Sequence, residues 1–78
     1  MREKKDALVV TFAETTQAMA AEKFCHANGL PGRIIPVPRA VTAGCGLAWK
    51  AAPADETALT AAFLMAGLDW ENMVVLKI

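Results

Sequence analysis

Seventy-eight residues leave room for one domain, taken here as residues 1–78, and the 55% hydrophobic content is high enough that a partner covering one face, in the simplest case a homo-oligomeric dimer, would account for it. Eight acidic and eight basic residues give a formal net charge of zero, which argues against nucleic acid as a partner because backbone binding needs a surplus of Lys and Arg. No run approaches the ~20 apolar residues of a membrane span, the first residues lack a secretory h-region, and two cysteines are too few for a disulfide scaffold, so the chain reads as cytoplasmic with both thiols reduced.

The charged run Arg2-Glu3-Lys4-Lys5 reads as a solvated tail over residues 1–5. The segment Ala7–Phe12 then alternates as a strand, with Leu8, Val10 and Phe12 on one face and Ala7, Val9 and Thr11 on the other. A helix follows, capped by Thr15 or Thr16, with Ala18, Ala21, Phe24 and Cys25 at core spacing and Met19, Glu22, Lys23 and His26 off that stripe. Asn28-Gly29 ends it, since both residues tolerate the left-handed conformation of a C-terminal cap. Arg33–Pro38 predicts a second strand, and its two prolines, each without an N–H, assign it to a sheet edge. Leu47–Ala52 predicts a third strand closed by Pro53. Asp55 caps a second helix with apolar positions Ala58, Leu59, Ala62, Phe63 and Ala66, and Gly67 ends it. Met73–Ile78 predicts the last strand. The order β-α-β-β-α-β is an α+β pattern, the ferredoxin-like split βαβ arrangement: a four-stranded antiparallel sheet of order 4-1-3-2 with both helices on one face.

This topology puts the loop over residues 39–46 at the amino-terminal end of the first helix and Cys25 at the other end, too far apart for a disulfide within the chain. Cys25 reads as a core residue, where a thiol behaves as a small hydrophobe. The adjacent Cys25-His26 makes a poor nucleophile–base pair, because neighbouring helical residues point ~100° apart. One histidine and two separated cysteines make no metal site. Cys45, flanked by Gly44 and Gly46, is the candidate reactive thiol. The glycines would give access and allow the turn, and the helix terminus would favour a thiolate. Arg39 and Lys50, with no carboxylate between Arg33 and Ala54, would add positive charge to thiolate and partner alike. The bland alternative makes Cys45 a filler in a tight turn.

The stretch from Phe12 and Thr15-Thr16 through Asn28-Gly29-Leu30 to Pro36-Val37-Pro38-Arg39, followed after five residues by Cys45-Gly46-Leu47-Ala48 and the basic Lys50, resembles a small bacterial family, the selenium/sulfur (Se/S) carrier protein-like domains. The resemblance covers nearly the whole chain. It implies a carrier or accessory protein rather than a stand-alone enzyme, with Cys45 holding sulfur or selenium as a persulfide or selenosulfide. It also implies donor and acceptor proteins as partners, and no cofactor or metal. A second function remains open: a non-catalytic dimerising module in which Cys45 is only a turn residue and Trp49 or Trp70 anchors the contact. Against that anchoring role, each tryptophan would be partly buried at the edge of the core. A redox sensor is less favoured, since Cys25 lies too far away to resolve an oxidised Cys45.

Overall fold

The computed structural model describes residues 4–41 and 43–78. Strand β1 spans Asp6–Thr11, helix α1 Thr15–Ala27, β2 Arg33–Pro36, β3 Leu47–Ala51, helix α2 Glu56–Ala66 and β4 Asn72–Lys77, with a short 3-10 turn over Pro53–Asp55 ahead of α2. All pairings are antiparallel and the strand order is β2-β3-β1-β4, which read from the β4 edge is 4-1-3-2. The proline-bearing β2 is an edge strand as expected. It is shorter than expected because the chain turns at Pro38, where Val41 donates to the Pro38 carbonyl (3.1 Å). Residues 1–3 of the anticipated tail lie outside the described residues. Lys5 does not behave as tail: it exchanges both backbone hydrogen bonds with Ile78 (3.3 and 3.1 Å), extending the β1–β4 ladder.

The period-two pattern of β1 sorts its side chains into two environments. Leu8, Val10 and Phe12 join Trp49 and Ala51 of β3, Ala18, Ala21 and Cys25 of α1, and Leu59 and Phe63 of α2 in one core cluster, so both helices cover the same sheet face. Phe24 of α1 meets Phe63 of α2 edge-on at 6.4 Å between ring centroids, and Phe63 tilts against Trp70 at 5.9 Å. Ala7, Val9 and Thr11 point to the other face, where they too are buried between the flanking strands. Burying side chains such as Trp49, Phe12 and Leu8 stabilises the fold by roughly 1.5–3 kcal/mol each, the main term holding so short a chain together.

The helix ends follow local chemistry. Neither Thr15 nor Thr16 caps α1, because both lie inside its first turn. Instead the Gln17 Oε1 accepts from the backbone N–H groups of Ala13 and Glu14 (3.1 and 3.2 Å), the reaching-back half of a capping box. At its other end the Asn28 amide donates to the Phe24 carbonyl (2.8 Å), and Gly29 takes φ +63°. Helix α2 begins at Asp55, whose Oδ2 accepts from Ala52 N–H (3.3 Å), and ends at Gly67 with φ +69°. Of the five apolar α2 positions, Leu59 and Phe63 are buried and Ala62 half-buried, while Ala58 and Ala66 face solvent. No helix among the described residues is long and apolar enough to cross a membrane.

Candidate functional site

Cys45 lies in the β2–β3 connection, whose base is closed by Val37 N–H donating to the Gly46 carbonyl (3.0 Å). The returning limb docks on the chain just ahead of α1. Cys45 N–H donates to the Phe12 carbonyl (3.2 Å), prolonging the β1–β3 ladder beyond the Thr11–Ala48 pair. The thiol is therefore held at the amino-terminal end of α1, as the topology requires. It is half-buried, rests against Leu47 and the edge of the core cluster, and donates to the Leu47 carbonyl (3.3 Å). Only the protonated thiol can make that last contact.

The two flanking glycines have different reasons to be there. A Cβ on Gly44 would collide with the backbone carbonyl of Ala13 and lie 2.8 Å from its Cα, so this glycine permits the loop to touch the pre-helix segment. At Gly46 a Cβ would meet nothing within 4 Å, and the backbone stays outside the left-handed region. Gly46 has room where a side chain would stand, whereas Gly44 is a packing requirement.

A carboxylate that sequence spacing does not reveal reaches this loop from the far side of the molecule. Glu71, just before β4, accepts from Gly44 N–H through Oε1 (3.3 Å) while its own N–H donates to the Thr11 carbonyl (2.7 Å). The expectation of a loop free of acidic groups is thereby corrected, because the β1–β4 pairing carries Glu71 across the sheet to Gly44. Arg39 is exposed in the turn at Pro38–Val41, on the Cys45 connection itself. Lys50 is not brought to that end. It stands opposite Arg33 and Val9, toward the other end of β3, about 10 Å along the strand from Leu47 at ~3.3 Å per residue.

Cys25 occupies the last turn of α1, fully buried, and burial pushes its thiol up from 9.0 to about 11. Both cysteines are free thiols, and ten residues of helix, about 15 Å, separate Cys25 from the start of α1 at Thr15. His26 is exposed and stands edge-on to the Trp49 ring at 6.1 Å, and no hydrogen bond joins it to Cys25 among the described residues. Trp49 itself is fully buried rather than partly so, with its indole N–H donated to the Pro31 carbonyl (3.0 Å), and it cannot anchor a partner. Trp70 is half-buried. Among the described residues no group of three His, Cys, Asp or Glu side chains is arranged to hold a metal ion.

Comparison with known proteins adds one match. Neither the curated proteins nor the solved structures gave a match to the chain. A family model aligns with residues 7–75, from the first residues of β1 to the middle of β4, and so takes in the Cys45 loop together with every element that positions it. By that match the chain belongs to the family described as "Putative Se/S carrier protein-like".

Proposed function

We propose that the chain is a single ferredoxin-like domain acting as a sulfur or selenium carrier, with Cys45 as the atom-accepting thiol. The strand order and the alternation of helices and strands support the domain assignment, and family membership supports the cargo. One observation carries the choice of residue: Cys45 is only half-buried, in a loop, whereas Cys25 is sealed in the core.

The transfer is a thiol exchange without net oxidation. Cys45 gives its proton to solvent and releases the Leu47 carbonyl. Its thiolate then attacks the outer sulfur of a donor persulfide, the donor S–S bond breaks, and the donor leaves as a thiolate. Delivery reverses the sequence: an acceptor nucleophile takes the outer atom and Cys45 leaves as the thiolate. A donor carrying selenium as the outer atom would leave a selenosulfide on Cys45 by the same steps. Fixing the loop backbone through Phe12, Ala13 and Glu71 keeps the sulfur in one place between the two exchanges.

The test is intact mass of the full chain after incubation with glutathione persulfide in the absence of other reductant. The expected result is a gain of one sulfur atom that maps to Cys45 and disappears in Cys45→Ser. No adduct, or the same gain in Cys45→Ser, overturns the proposal.

A further inference from the structure

At the end of the sheet away from Cys45 an open cleft of about 530 Å³ lies between the Pro31–Gly32 turn, the ends of β1 and β3 and the 3-10 turn. Its charges are distributed unevenly. Arg33 of β2 and Lys50 of β3 are direct cross-strand partners, and like charges directly opposite each other in an antiparallel ladder are destabilising. By strand alternation both project from the sheet face that carries no helix, and Lys5, two residues before Ala7 on the β1 side, projects from the same face and lines the same cleft. Alone among the described lysines, Lys50 is half-buried rather than exposed.

Two side-chain carboxylates, Asp6 and Asp55, also border the cleft, and by strand alternation Asp6 projects from the helix-covered face rather than from that of the cations. Asp6 stands opposite Lys77 in the β1–β4 register, and Asp55 accepts the Ala52 N–H. Three cationic side chains against two carboxylates leave the lining with an excess of positive charge, concentrated at the Arg33–Lys50 pair. Ala7, on the same face as the cations and buried, gives the cleft a small apolar floor. Its wall is rigid, because the buried Trp49 indole holds the Pro31 carbonyl while Gly32, at φ +119°, lies so close to Trp49 that no side chain would fit. A like-charged pair held in register beside a preformed cleft with an apolar floor is an arrangement that an anion with a compact apolar body would satisfy.

We propose that this cleft binds a small organic oxyanion, a phosphate monoester or carboxylate of that shape, with Arg33 and Lys50 gripping the charged group and Lys5 closing over it. The site stands apart from Cys45 and does not depend on the carrier reading. The experiment is a titration of the isotope-labelled full chain with phenyl phosphate, and separately with inorganic phosphate, at constant ionic strength against chloride. Saturable amide shifts centred on Gly32, Arg33, Lys50 and Ala51 are expected, with phenyl phosphate the tighter ligand. The double variant Arg33→Gln/Lys50→Gln should weaken binding by about tenfold or more, since each lost contact is a charge-assisted hydrogen bond. Its melting temperature without ligand should match or exceed the parent's, because the repulsion is gone. Shifts that fail to saturate, that spread over exposed lysines generally, or that keep the same affinity in the double variant overturn the proposal. Equal affinity for the two phosphates overturns the apolar floor's part in it.

Discussion

Cys25 and Cys45 are the same side chain in two settings that differ in burial and in what holds the backbone around them. Cys25 comes from a helical position facing the core, lies in the apolar cluster with Phe63 and Trp49, and has its thiol pushed up to about 11 by burial. Cys45 comes from an irregular connection whose backbone is pinned at four residues: Val37 bonds Gly46, Cys45 bonds Phe12, and Gly44 bonds Glu71 and abuts Ala13. Regular structure buries a thiol cheaply, because the helix satisfies its own backbone and leaves the side chain to pack. A half-exposed thiol in a loop needs its backbone fixed from outside, and two segments distant in sequence supply that here. What distinguishes the two thiols is therefore how the main chain around each of them is tied.

The widest difference between the two thiols should be in alkylation of the folded protein. At pH 8 Cys25 lies three units below its value of about 11, so about one molecule in a thousand carries the thiolate, and even that sulfur is sealed from reagent. Iodoacetamide labelling followed by peptide mapping should show Cys45 modified at least about a hundredfold faster than Cys25. Denaturant should bring Cys25 up toward the rate of Cys45. Comparable rates in the folded state would break the contrast between a sealed and a reachable thiol.

A smaller effect separates the two glycines beside Cys45. Gly44→Ala places a methyl group against the Ala13 carbonyl, a backbone atom that cannot swing aside, and should destabilise the fold by about 1–3 kcal/mol in denaturant unfolding. Gly46→Ala meets open space and should stay within about 0.5 kcal/mol of the parent. The same pair sharpens the functional reading. Gly46→Ala adds a methyl group to the residue after Cys45 without disturbing the loop, so it should slow labelling of Cys45 while leaving stability alone.

Much of this molecule is legible in its sequence because the relevant signals are local. The alternation in Ala7–Phe12, the prolines of β2, Asn28-Gly29 and Gly67 each act through their own backbone, and they locate strands, edge and helix ends without reference to the rest of the chain. The surroundings of Cys45 are less legible, since they depend on register. Glu71 meets Gly44 only because β4 pairs along the whole of β1, and nothing near either residue announces the contact. Lys50 is close to Cys45 in number, yet an extended strand carries each successive residue ~3.3 Å further away and turns alternate side chains to opposite faces. The same register that removes Lys50 from the thiol sets it against Arg33. Trp49 misleads for a different reason: a residue near the edge strand becomes fully buried once α1 and the Pro31 turn close over it.

The buried thiol also leaves a mark on stability at alkaline pH, the smallest of these effects. The folded state holds Cys25 at about 11 against 9.0 for an unperturbed thiol, so between these values the unfolded chain loses a proton that the folded chain keeps. A group raised in the folded state favours folding fully below the lower value, and its contribution falls as pH rises toward the upper one. Relative to Cys25→Ala, the parent should lose about 1 kcal/mol of stability between pH 8 and pH 10, with the difference levelling off above pH 11. Subtracting the variant's profile removes the lysines, which titrate in the same range in both proteins. Denaturant midpoints taken at half-unit pH steps on both chains would measure it, and parallel profiles would mean that water reaches Cys25 after all. In that case the two cysteines would differ in position but not in environment, and the assignment of transfer chemistry to Cys45 would rest on loop geometry alone.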